Sequence, residues 1–131
     1  LPVISDDSGL CIKALGEKPG IYSARWAKKH GSFLNSMKFI LKKMKNKKNR
    51  SATFVCSLSF KYPRGKMVTV VGKLKGLISH KILGTKGFGY DPIFIPNKKT
   101  ITFGQMSRFY KIIAKTCCIY NGWKSKVGKK K

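Results

Sequence analysis

The sequence predicts an α/β or α+β domain built on a mixed sheet. Strand-like and helix-like segments alternate irregularly, a hairpin-length turn joins two long strand-like runs at the centre, and one stretch carries an apolar stripe at helical period. With 131 residues, 42% of them hydrophobic and 11% aromatic, the chain suits one domain with a real core.

The elements follow in order. Pro2-Val3-Ile4-Ser5 reads as a short apolar strand, and a start in mid-strand at Leu1 reads as a fragment or a processed chain. Leu10-Cys11-Ile12-Lys13-Ala14-Leu15 has strand character and is closed by Gly16 and the turn pair Pro19-Gly20. Ser23 is placed to cap a short helix through Lys28, which Gly31 ends. The clearest helix follows Ser32, a natural N-cap, with Phe33, Met37, Ile40, Leu41 and Met44 on one stripe. Its lysines (Lys38, Lys42, Lys43, Lys45, Lys47, Lys48) face mostly the other way and read as a solvated surface rather than a nucleic-acid contact. Residues 51–62 and 66–78 are rich in Val, Thr and Phe and flank Pro63-Arg64-Gly65, which predicts a strand pair. Two prolines confine residues 92–96 to an edge strand. Beyond Lys111 no clear period is visible, and the chain ends in Lys129-Lys130-Lys131.

Composition narrows the function classes. Lys and Arg number 29 against four Asp and Glu, a net charge of +25, and such a balance first points to nucleic acid through counterion release. No apolar run approaches the roughly 20 residues that span a bilayer, and the first residues lack the basic flank of a signal peptide, so a cytoplasmic location is expected. For the same reason Asn49-Arg50-Ser51 reads as a chance match to a glycosylation acceptor. Cys11, Cys56, Cys117 and Cys118 lack the paired spacing of a zinc or redox motif and are expected as reduced thiols.

The scarce acids carry more information than the common bases. Asp6, Asp7 and Asp91 each fall beside glycine, in turns expected between strand-like segments. A carboxylate so placed can hold Mg²⁺ or orient and deprotonate an attacking water; adjacent Asp residues can equally shape a turn through side-chain bonds to the backbone. Gly84-Thr85-Lys86-Gly87-Phe88-Gly89 fits neither a Walker loop nor the dinucleotide fingerprint. Small residues flanking Phe88 and Tyr90 would still let backbone approach a planar ligand, although a strained turn is the plainer reading.

Together these segments resemble the inosine triphosphate pyrophosphatase family (Ham1/RdgB-like), which hydrolyses non-standard purine nucleoside triphosphates. The matching stretches are Val3-Ile4-Ser5-Asp6-Asp7-Ser8-Gly9-Leu10, Ala14-Leu15-Gly16, Pro19-Gly20-Ile21-Tyr22-Ser23-Ala24-Arg25, residues 50–56, 72–78 and 87–94, and Thr102-Phe103-Gly104-Gln105-Met106-Ser107. Their order and spacing agree over residues 2–111. The resemblance implies an elongated mixed β-sheet flanked by helices, in two lobes with a central nucleotide cleft. It also implies a division into 1–111, a domain lacking the family's opening segment, and 112–131, a divergent basic tail. That opening segment carries a phosphate loop and a metal-holding Glu, and the family's Ser-His-Arg motif is replaced here, with Thr116 and Cys117 where His and Arg would stand.

Carried over by position, Asp7 matches the catalytic acid, both proton acceptor for the attacking water and ligand of Mg²⁺. Asp6 supports it. Ser8, Phe88, Gly89, Tyr90, Asp91 and Lys111 match substrate-binding positions, with Phe88 as the stacking ring. The implied reaction turns ITP, dITP or XTP into monophosphate and pyrophosphate, and the implied assembly is a homodimer. The alternative is a basic, ribosome-associated nucleic-acid-binding protein without catalysis, which explains the charge but gives no reason for Asp7 and Asp91.

Overall fold

The computed structural model describes residues 2–87 and 89–128; the side chains of Asp6, Lys115, Cys117, Cys118 and residues 122 and 125–128 stand outside the description. Its strands are β1 (Val3–Ile12), β2 (Lys18–Gly20), β3 (Ser51–Lys61), β4 (Met67–Ile78) and β5 (Phe94–Pro96). Its helices are α1 (Ser23–His30), α2 (Phe33–Lys43) and α3 (Arg108–Gly128). The strands form one open sheet in the order β2-β1-β3-β4-β5, with β5 on an edge as its prolines require.

The α/β class stands, with an open sheet flanked by helices, but the pairings correct the mixed sheet. All of them are antiparallel among the described residues. The turn at 62–66 reverses the chain between β3 and β4, and the α1–α2 pair returns it alongside β1 in the opposite direction.

Three further expectations change. Asp6 to Gly9 was expected as a turn, whereas all four residues lie inside β1, paired with Leu58, Ser57, Cys56 and Val55 of β3. An unbroken ladder with the apolar-rich β3 holds this polar run extended, because strand pairing is a backbone property. Ser23 does not cap α1: Tyr22 takes the N-cap position, and the Ser23 hydroxyl is engaged elsewhere. The stretch without visible period is the 21-residue α3. Its exposed residues Phe109, Ile112, Ile113, Tyr120 and Trp123 do recur at helical spacing, while among the described residues its inner face buries a lysine, Lys111, beside the core-packed Ala114.

The core lies between the sheet and the helices. Leu10 and Ile12 of β1 face Phe54 and Ala52 of β3, and Met37, Ile40 and Met44 from α2 and its C-cap join the same cluster. Phe54, Phe94 and Phe103 pack with ring centroids 5.0–6.3 Å apart. Burying each of these large side chains stabilises the fold by about 1.5–3 kcal/mol. The Ser32 hydroxyl accepts from Asn35 N at 3.0 Å, the cap expected for α2.

Arg50 joins three segments. Its Nε donates to Ile78 O (2.8 Å), Nη1 to Met44 O (3.1 Å) and Nη2 to Ser79 O (2.7 Å). Burial among carbonyls pulls its pKa below the usual guanidinium value.

Candidate functional site

A cleft of about 250 Å³ opens where β1 meets the first turns of α1 and α2 and the loop before β5. Asp7, Ser8, Gly9 and Leu10 supply one wall, Ser23, Ala24 and Phe33 another, and Gly89, Tyr90 and Asp91 the third, with Phe54 between them. Drug-sized ligands occupy roughly 300–1,000 Å³, so the cleft is slightly smaller than such a site and a larger ligand would extend past its mouth. A smaller hollow of about 140 Å³ shares Asp7, Ser8 and Gly9 and continues to Cys11, Gly20 and Ser57.

Strand alternation explains the shared rim. Ser8 points with Leu10 and Ile12, whereas Asp7 points with Cys11, and Asp7 borders both hollows. Its carboxylate is exposed, and Oδ1 accepts from Ser8 N at 2.9 Å. Its second oxygen has no hydrogen-bond partner among the described residues.

The second wall depends on Ser23. Its hydroxyl accepts from Leu10 N (2.9 Å) and donates to Gly20 O (2.7 Å), tying β1, β2 and α1 together at the floor of the cleft. A β-carbon at position 9 would stand 2.5 Å from Gly20 O, so only glycine lets β2 come this close. Tyr90 locks the opposite side: its hydroxyl donates to Ser23 O at 2.6 Å and lies 2.9 Å from Ser36 Oγ, and Phe33 meets its ring edge-on at 5.2 Å. Burial raises the Tyr90 pKa, which the Ser36 bond only partly offsets.

Asp91 is 1% exposed and opens the 3-10 turn Asp91–Ile93. Lys111, itself buried, brings Nζ to 3.6 Å from Asp91 Oδ2, an ion pair beyond hydrogen-bond length. Gly87, at φ +81°, sits over both groups, and a side chain there would collide with each.

The structure thus brings Asp7, Ser8, Gly89, Tyr90 and Asp91 to one cleft from two distant stretches of sequence. Lys111 does not line it but stands behind Asp91. Phe88 and the Asp6 side chain lie outside the described residues. Ser23, Phe33 and Phe54 were not anticipated at the site; Ser23 and Phe33 start helices, and that position was the available signal.

Mg²⁺ takes several oxygens, of which usually only one or two are protein carboxylates. Among the described residues no group of three His, Cys, Asp or Glu could hold a metal. One exposed carboxylate with an open oxygen therefore fits an ion that arrives on phosphate oxygens, not one caged by the protein.

The Ham1 family model matches residues 1–112. The chain belongs to the Ham1 family. It is 46% identical over 108 residues to the dITP/XTP pyrophosphatase of Acholeplasma laidlawii, a match covering 82% of this chain and 53% of that protein. The dITP/XTP pyrophosphatase of Streptomyces avermitilis is 39% identical over 109 residues, covering 82% and 54%. Among solved structures, the Staphylococcus aureus Ham1 protein superposes with a TM-score of 0.83 at 36% identity, over 99% of this chain and 68% of that one. The chain spans about half the length of the curated relatives it matches.

Proposed function

We propose that this Ham1-family chain carries the nucleotide cleft of a pyrophosphatase acting on non-standard purine triphosphates: ITP, dITP and XTP. The observation that carries the reading is the convergence of Asp7 and Ser8 with the 89–91 loop on one cleft, in a chain whose relatives are named dITP/XTP pyrophosphatases.

The base enters beside Tyr90 and Phe33, with Phe88 as the stacking ring, and the phosphates extend past Asp7. Hydrolysis adds water across the anhydride between the α- and β-phosphates: a P–O bond forms at the α-phosphorus and pyrophosphate leaves. Asp7 orients that water and accepts its proton. Asp7 would hold the Mg²⁺ that arrives with the substrate, and that ion would supply neutralising charge for the phosphates. Lys111, matched to a substrate-binding position, stands behind Asp91 and acts on the base side of the cleft through that ion pair, and selection of a 6-oxo purine rests on hydrogen bonds that an exocyclic amine cannot satisfy. The site belongs to 1–111, in a cytoplasmic homodimer, and lies outside the divergent basic stretch 112–131, most of which continues α3.

Pyrophosphate release from ITP and Mg²⁺ is the direct test. Asp7→Ala is expected to lower kcat by at least about 100-fold, the usual scale for a lost general base, and an Asp6→Ala variant made in parallel separates the two adjacent carboxylates. Release that survives Asp7→Ala removes the assigned role. Absence of release, combined with steeply salt-dependent RNA binding, favours the nucleic-acid reading.

A further inference from the structure

A second cavity, of about 310 Å³, lies on the α1–α2 pair and shares no lining residue with the cleft. Trp26 and His30 stand four apart on α1, as do Phe39 and Lys43 on α2, so each pair presents one helix face. Leu15, Lys18 and Lys29 complete the wall. The His30 and Phe39 rings stack at 4.5 Å with 29° between their planes, and Trp26 meets Phe39 edge-on at 5.6 Å. All three rings are half-buried, so part of each remains open to a ligand. Lys43 Nζ lies 5.6 Å from the Phe39 centroid. No carboxylate lines the cavity; Glu17 precedes Lys18 in the chain but forms no part of the wall.

A solvated lysine coat needs no open rings, and a core cluster needs no ring of ammonium groups around it. The two together match the recognition of a nucleotide unit: an aromatic platform for a base and exposed lysines beside it for a phosphate. We propose that Trp26, His30 and Phe39, with Lys18, Lys29 and Lys43, form a second site that binds a planar base and its attached phosphate. The unit comes either from a free nucleotide or from a single strand. This site is independent of the catalytic reading, because it uses neither Asp7 nor the 89–91 loop.

Trp26 is its own reporter once Trp123, the other tryptophan, is replaced by phenylalanine. The full chain carrying W123F is titrated with uridine monophosphate and with an oligouridylate of about ten residues, long enough to cover one such platform. Quenching of Trp26 is expected. In Lys29→Ala/Lys43→Ala, whose exposed side chains can be removed without touching the core, affinity for the oligonucleotide falls about tenfold or more. Its log–log salt slope also becomes shallower by about 1.4, the value for two lost phosphate contacts. A control pair outside the cavity, Lys45→Ala/Lys47→Ala, changes affinity by less than about twofold. Equal binding of both probes assigns the site to free nucleotides, and binding of the oligonucleotide alone assigns it to single strands. No quenching at millimolar probe, or an equal loss in the control pair, overturns the proposal.

Discussion

Tyr90 shows how one side chain sets the width of the cleft. Its hydroxyl joins Ser23 O and Ser36 Oγ, so the loop carrying Asp91 is fastened to both helices through a single oxygen. Tyr90→Phe leaves the Ser23 carbonyl without that donor and is expected to cost about 1–2 kcal/mol, read from urea midpoints at neutral pH. The raised Tyr90 pKa adds a pH dependence of known sign. The folded protein keeps the phenol proton where the unfolded chain has lost it, so this contribution is complete below about pH 10 and is lost above it. Stability of the unsubstituted chain should therefore fall more steeply through the alkaline range than that of Tyr90→Phe. Equal slopes would show that Tyr90 titrates as it does when unfolded. From sequence Tyr90 was legible as a binding position, but its partners were not, since Ser23 and Ser36 lie 67 and 54 residues away.

At the scale of elements, legibility followed the direction in which side chains point. α2 was readable because Met37, Ile40 and Met44 are apolar and buried. β3 and β4 were readable from their β-branched and aromatic content and the turn between them. α3 was not, because most of its described apolar residues are exposed, with Ala114 packed against the core, and a buried lysine interrupts its inner face. The polar run Asp6 to Gly9 looked like a turn because strand signals come from side chains, whereas its strand character comes from the ladder to β3. Arg50 is the clearest case of an element joint invisible to pattern reading: one carbonyl at the end of α2 and two at the end of β4 converge on one guanidinium. Lysine cannot reproduce that planar fork. Arg50→Lys is expected to destabilise by about 1–3 kcal/mol, seen as a lower urea midpoint with an unchanged m-value. An unchanged midpoint would show that the three carbonyls find other donors.

For the whole molecule, the +25 charge is opposed by exposed apolar surface. Val3, Ile4 and Met67 are each more than 60% exposed and gather at one end of the β1–β3–β4 ribbon, while α3 exposes Phe109, Ile112 and Trp123. Repulsion among the lysines keeps copies apart only while it acts over a distance, and at 0.1 M salt its range shrinks to about 10 Å. The 131-residue chain is therefore expected to self-associate as salt rises, measured by sedimentation velocity across a salt series. A monomer with a sharp cooperative melt at every salt concentration would contradict this. β1 imposes a different constraint on the molecule, one of parity. The acid proposed for catalysis and the leucine that anchors the core lie three places apart on a single strand, and so face opposite ways. Inserting one residue between Asp7 and Leu10 would turn one of them to the wrong side of the sheet, whereas inserting two would restore both orientations. Length changes in this stretch are tolerable only in even steps, so site and core share one reading frame.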